Sequence, residues 1–237
     1  MTTAHFALAA GSKPAAKTAP LWALMVATYL LDILFMVLVS FGVESFAPMH
    51  PGHPAYGQVI IHAAYTHSLV GALLIAAAAG LLGARFWGRN GGLAIGLVTF
   101  SHWILDLIVH RADLPLLPGN LAHLPMLGFG LWNDPAAGIA LELALVVAGA
   151  ILYFRGAVRL GHGERGSRKR AVIAAAVTAI LLVLLLLADA LALPMTTSLT
   201  LMLLLIGLSG WLDGRIAPTA SAATRAKVRA ASAGRHA

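Results

Sequence analysis

The sequence predicts an all-α fold: a polytopic transmembrane helix bundle of about six spans with both termini cytoplasmic. Three observations carry that prediction. First, 59% of the 237 residues are hydrophobic and only 11% are charged, less than half the roughly 25% charge of a soluble domain; mean hydropathy is +0.86. Second, the apolar residues gather into runs long enough to cross a bilayer. Third, of the sixteen lysines and arginines, all but Arg111 fall on one side of a six-span alternation, the side that the positive-inside rule assigns to the cytoplasm.

Residues 1–19 read as a cytoplasmic N-terminal segment. The first span, about 20–42, is too long for a signal h-region and lacks a small-residue cleavage site, so it is expected to stay uncleaved. Spans at about 58–83 and 92–110 are joined by a short turn, Arg85 to Gly91, which makes them antiparallel neighbours. Spans at about 135–154, 171–193 and 196–213 follow, the last at the lower edge of the about 17–25 residues needed. Pro48, Pro51 and Pro54, then Gly88 to Gly92, then Pro115, Pro118 and Pro125 punctuate the joints. Residues 20–213 thus form the bundle, and 214–237 read as a disordered basic cytoplasmic tail rich in Ala, Ser, Thr and Arg.

The chain has no cysteine, which excludes disulfides, thiolate zinc sites and iron–sulfur clusters. Any metal must be held by imidazole and carboxylate, a donor set suited to zinc, iron, manganese or nickel. The net charge of +7 is accounted for by topology and by contact with anionic membrane lipids, so no nucleic-acid partner is expected. A homo-oligomer is compatible with such a bundle.

The most informative run is Ser101 to His110. His102, Asp106 and His110 stand four residues apart, and on a helix each is rotated only about 40° from the last, so they line one stripe. Ionisable groups are costly in hydrocarbon and mark interior or functional positions. Counted at about 1.5 Å per residue from the outer span ends, Asp32, His67, His102 and Glu142 fall roughly 10–15 Å deep and His62 and Asp106 roughly 6 Å. His110 and Asp134 come out near the surface. His62 and His67 are five apart and do not share a helical face. Joined with His102 and Asp106, they supply three imidazoles and one carboxylate of the right chemistry for a divalent ion. A structural hydrogen-bonded cluster is the alternative, and Asp106 could instead fix the tautomer of a ligating histidine.

The element Thr66-His67-Ser68 followed by His102-x3-Asp106 resembles the bacterial inner-membrane metal-dependent hydrolases of the YdjM-like, LexA-binding group. The block His102 to Asn133 is more closely similar to an uncharacterised set of small bacterial membrane proteins. Its marks are His110-Arg111-Ala112-Asp113-Leu114-Pro115-Leu116 and Gly130-Leu131-Trp132-Asn133. The resemblance covers roughly residues 56–155. Where the hydrolase group has Arg-Gly after its first histidine, this chain has Ala63-Ala64. The resemblance implies a metal site of His62, His67, His102 and Asp106.

Three functions compete on this reading. A metal-dependent hydrolase, with zinc as the expected ion, would act on a lipid or lipid-linked substrate at the outer leaflet. Glu142, Asp32 or His110 would then be the general base, Arg111 would hold an anionic group, and Thr66 and Ser68 would position a substrate oxygen. A divalent-metal or proton transporter would also use buried acids and histidines. A haem-binding or structural subunit is the third; Asp106 on the ligand stripe makes haem an awkward fit.

Overall fold

The computed structural model describes residues 1–48, 59–160, 165–191 and 193–216. The architecture is an all-α bundle. Among the described residues, four helices are long and apolar enough to cross a membrane. They are α4 (Leu69–Val109), α5 (Pro135–Leu160), α6 (Arg165–Ala190), and a composite of α7 (Met195–Leu204), a π-helical stretch Leu205–Ser209 and α8 (Gly210–Asp213). A fifth arises if α2 (Leu21–Thr28) and α3 (Leu30–Ser40), bent by 50°, are one span. Against this all-helical frame, β1 (Ser45–Pro48) and β2 (Val59–His62) pair antiparallel in a small ribbon.

A straight helix the length of α4 would extend about 60 Å, twice the roughly 30 Å hydrocarbon core. It is not straight. Gly88 takes φ +71, ψ 176, a backbone conformation that only glycine enters without strain, and the chain folds back there. Gly80 approaches the Gly92 carbonyl so closely that a Cβ on it would sit 3.1 Å away, and Gly83 meets Ile95 in the same way. Residues twelve apart cannot touch in a continuous helix, so 69–87 and 89–109 are antiparallel arms of a hairpin. Glycines at the crossing are what bring the arms together.

The sequence placed a helix from about 58. Instead β2 occupies Val59–His62 and a turn follows, so the first arm begins at Leu69. Ser68 sets that start. Its hydroxyl accepts the Gly71 N–H at 3.0 Å and donates to the Tyr65 carbonyl at 2.9 Å, the usual work of an N-cap serine.

Residues 1–19, expected outside the bundle, are the main correction. Residues Thr2–Ser12 form a helix, α1, whose Thr3, Ala4, His5, Phe6, Ala7, Ala9 and Ala10 are buried. It lies between α5, α2 and α6, and the central core joins Phe6 to Leu24, Met25, Val146, Leu182 and Leu185. Small side chains allow this. A Cβ at Gly149 of α5 would collide with the Ala7 carbonyl, and one at Gly156 would collide with Pro14. Where α1 ends, Lys13 is buried, donating to the Ala19 carbonyl at 3.0 Å and lying 3.6 Å from Asp213 Oδ2. Tyr153 donates its hydroxyl to Asp213 Oδ1 at 3.0 Å. Of the expected tail, 214–237, only Gly214 to Ile216 are described; the rest lies outside the described residues.

Candidate metal centre

Four elements bring ionisable groups to one place. The second arm of α4 carries His102 and Asp106 one turn apart, with His110 at its C-terminal cap. The turn before α4 carries His67, whose carbonyl is held by Trp103 Nε1–H at 2.8 Å. Asp32 stands in the first turn of α3, just past the bend, and His5 comes from α1. Among the described residues, two groups have ligand atoms close enough to share an ion: His5, His102 and Asp106, and Asp32, His67 and His102.

The separations are short enough for the groups to share a cation. His67 Nε2 and His102 Nε2 are 3.3 Å apart. Asp32 Oδ1 lies 3.3 Å from the first and 3.6 Å from the second. Asp106 Oδ2 lies 3.5 and 3.0 Å from the same two atoms. For bonds of about 2.0–2.1 Å in tetrahedral array, adjacent ligand atoms stand about 3.3–3.4 Å apart. The triangles built on the His67–His102 edge, with sides of 3.0–3.6 Å, bracket that spacing and are also within reach of hydrogen bonds.

The tautomers follow from what each Nδ1 touches. His102 Nδ1 lies 2.7 Å from the Thr28 carbonyl; a carbonyl only accepts, so this nitrogen carries a proton, and in the neutral ring Nε2 offers a lone pair. The bend between α2 and α3 leaves the Thr28 carbonyl open to this bond, since irregular backbone in a membrane protein is tolerated where it serves an interior site. His67 Nδ1 lies 2.9 Å from Thr66 Oγ1, which donates its one proton to Glu44 at 2.9 Å. Thr66 must therefore accept from His67. His110 Nδ1 donates to Asp113 Oδ1 at 2.9 Å, and its Nε2 faces Asp106 Oδ2 at 3.9 Å. Three imidazoles thus have Nδ1 committed outward and Nε2 turned toward one carboxylate.

His5 does something different. Its Nε2 is 3.2 Å from Asp106 Oδ1, while Nδ1 is buried with no hydrogen-bond partner among the described residues. Donation from Nε2–H leaves only a lone pair unpaired at Nδ1, a smaller cost than a buried orphan N–H. His5 therefore orients Asp106, fixing Oδ1 so that Oδ2 faces the other rings. It also stacks on His102, with centroids 3.8 Å apart and planes 5° from parallel.

Measured against the sequence expectations, His67, His102 and Asp106 come together. His62 does not: it is exposed on β2 opposite Ser45, because the helix expected to carry it inward starts seven residues later. Asp32, expected as a base, stands among the candidate ligands. Glu142 is buried but lies in neither group; its carboxylate accepts the Ala4 N–H at 3.1 Å, meeting the N-terminal turn of α1 where anions are favoured. Thr66 points at Glu44 and His67, and Ser68 caps α4, so neither hydroxyl is turned to a substrate. His110 sits against Trp132, ring centroids 4.5 Å apart, and Arg111 Nε donates to Asn133 Oδ1 at 3.2 Å. His50 and His53 lie outside the described residues.

Sequence reasoning missed His5, Glu44, Asp113 and the Thr28 carbonyl. Only His5 left a signal, in the small-residue spacing Ala4, Ala7 and Gly11 that marks a closely packed membrane helix. Comparison with protein-family models, curated proteins and solved structures finds no match to the chain.

Proposed function

We propose that the chain is a six-span protein of the bacterial inner membrane with a metal-dependent hydrolase centre in its outer half, acting on a lipid or lipid-linked substrate. The observation that carries this reading is the convergence of acceptors. The Nε2 atoms of His67 and His102 lie 3.3 Å apart, and each is 3.0–3.6 Å from a carboxylate oxygen of Asp32 and of Asp106, with the Nδ1 protons of both rings pointing away. Lone pairs packed so closely call for a cation.

The six spans comprise the bent α2–α3 pair, the two arms of α4, α5, α6 and the α7–α8 composite. Arg85 and Arg89 flank the Gly88 turn and Lys13 meets Asp213, all at the end away from Asp106. The positive-inside rule makes that end cytoplasmic, which puts the His/Asp centre toward the outer leaflet. Helix α1 then runs outward to inward, with Met1 packed beside Val109 and Trp132 at the outer end and Lys13 at the cytoplasmic end, so the cytoplasmic N-terminus expected from the sequence does not hold.

Zinc suits two imidazoles and two carboxylates with no thiolate. His67, His102, Asp32 and Asp106 would hold a divalent ion, which when bound would supply Lewis acidity. Haem is opposed by the 3.3 Å gap, since a macrocycle would have to part the two rings. His110 is the proton acceptor: Asp113 fixes its tautomer, and its Nε2 faces the cluster from the outer side. Arg111, its neighbour in sequence, is the outer cation suited to an anionic group.

A lipid substrate is supported by the way the cluster opens. The side chains of His5, His67, His102, Asp106 and His110 are at most 5% exposed, whereas that of Asp32 is 27% exposed. One turn along α3, on the same stripe, Met36 is 46% exposed, and Ile33 beside it is 40% exposed. Asp32, the most exposed side chain of the cluster, therefore stands beside an apolar face.

The test is hydrolysis of ester, amide and phosphate lipids by zinc-loaded protein in nanodiscs. His110→Asn is expected to lower turnover about 10²–10⁴-fold while zinc stays bound. Zinc-loaded protein inert on the whole panel removes the hydrolase reading. Transport is the second reading, favoured by the buried Lys13–Asp213–Tyr153 cluster at the opposite end; zinc uptake into proteoliposomes by the wild-type protein, absent from protein-free liposomes, would select it.

A further inference from the structure

Glu44 is a buried carboxylate, 3% exposed, and no step above uses it. It follows α3 and faces the turn that carries His67. Oε1 accepts the backbone N–H groups of Tyr65 at 2.8 Å and Thr66 at 3.0 Å. Thr66 Oγ1 lies 2.9 Å from Oε2 and 3.2 Å from Oε1. The same hydroxyl is 2.9 Å from His67 Nδ1. Thr66 and His67 are as buried as Glu44, at 3% and 2%, so water does not substitute for any of these partners.

Proton counting makes this chain directional. A threonine hydroxyl has one proton and two lone pairs, whereas an ionised carboxylate only accepts. With the hydroxyl proton on Glu44, Thr66 can face His67 only as an acceptor, and Nδ1 must carry the imidazole proton. In the neutral ring Nε2 is then a lone pair aimed at His102 Nε2 and Asp32 Oδ1. We infer that Glu44 is a positioning residue for the metal centre: through the Thr66 hydroxyl it selects the tautomer of His67 that presents Nε2 to a divalent cation. Carboxylates that act on ligating histidines from outside the coordination sphere also raise ligand basicity. Here a hydroxyl is interposed, and the carboxylate clamps the same turn through two backbone amides. The inference rests on the proposed metal centre for its consequence, but the tautomer exists with or without the ion.

Glu44→Gln makes a sharp probe. Two backbone N–H groups demand an acceptor at the Oε1 position, so the amide oxygen goes there and the NH₂ group replaces Oε2. That NH₂ donates to Thr66 Oγ1, and the threonine proton is released to His67 Nδ1. The imidazole is driven to the Nε2–H form, which cannot ligate. Thr66→Val removes the hydroxyl, and Thr66→Ser keeps it.

The experiment pairs zinc titration with nitrogen NMR of labelled histidines in the metal-free full-length protein. Wild type and Thr66→Ser are expected to show His67 protonated at Nδ1. Glu44→Gln is expected to show it at Nε2, and Glu44→Gln and Thr66→Val to bind zinc about 10–100-fold more weakly. A His67 tautomer unchanged by Glu44→Gln overturns the inference, as does a Thr66→Ser protein that behaves like Thr66→Val. Wild type that binds no zinc would instead remove the metal centre, leaving the tautomer result to judge Glu44 alone. Far-UV circular dichroism and thermal unfolding of each variant identify any loss due to misfolding.

Discussion

His67 and His102 face each other through Nε2 atoms 3.3 Å apart, and each has its Nδ1 proton committed to an acceptor behind it, Thr66 Oγ1 for one and the Thr28 carbonyl for the other. Two cations fit such a gap: a proton shared between the rings, or a metal ion bound to both. Chelation separates them. If a metal ion holds the rings, removing it leaves two lone pairs and two carboxylates in contact, and the unfolding temperature in detergent should fall, then recover on adding zinc. A shared proton predicts no response to chelator at constant pH.

Single substitutions should sort the three histidines and one aspartate that the sequence left grouped. His102→Ala and Asp106→Ala remove atoms at the centre of the cluster and are expected to lower bound zinc to a small fraction of wild type. His62→Ala should leave it unchanged, because His62 is exposed on the β-ribbon. Metal analysis of purified protein reads all three, and zinc lost in His62→Ala would place the ligands differently.

What was legible in the sequence was the part governed by local periodicity. The His102, Asp106, His110 stripe follows from helical geometry, and the structure keeps it, with Asp106 within 3.9 Å of both histidines. Glycines mark the hairpin turn just as directly. His62 misled because an apolar run with two histidines does not reveal where the strand ends and the helix begins; Ser68 decides that by capping α4. The role of α1 was illegible for another reason. Hydropathy reads an Ala-rich, Lys-flanked segment as peripheral, yet small side chains let it approach α5 within the bundle. Asp32 and Glu44 needed tertiary information, since a lone acid has no spacing to read.

His5 allows the contribution of α1 to be measured. His5→Phe keeps a ring to stack on His102 but removes the donor to Asp106 Oδ1. Asp106 is then free to turn Oδ2 away from His67 and His102. Zinc affinity should fall about 10–100-fold, as for other lost partners of ligating groups, with helix content unchanged. Affinity equal to wild type would mean that Asp106 is held by its α4 neighbours alone.

The opposite end of α1 offers an independent test of how that helix is kept in the bundle. Lys13 and Asp213 are 6% and 7% exposed, so each charge depends on the other, and Tyr153 takes one of the aspartate oxygens. Lys13→Met leaves Asp213 buried with no cation beside it, its partners reduced to the Tyr153 hydroxyl and the Leu21 backbone, and removing one member of a buried pair costs about 3–5 kcal/mol. Asp213→Asn should cost a similar amount for the converse reason. The double variant removes both charges and is expected to recover much of the loss, because an apolar or neutral pair carries no desolvation penalty. Unfolding by graded denaturant in mixed micelles measures the cycle; additive losses would show that the pair is not coupled. Since α1 carries His5 to Asp106, a helix loosened at Lys13 should also bind zinc less tightly in the single variants, and the double variant should recover affinity together with stability.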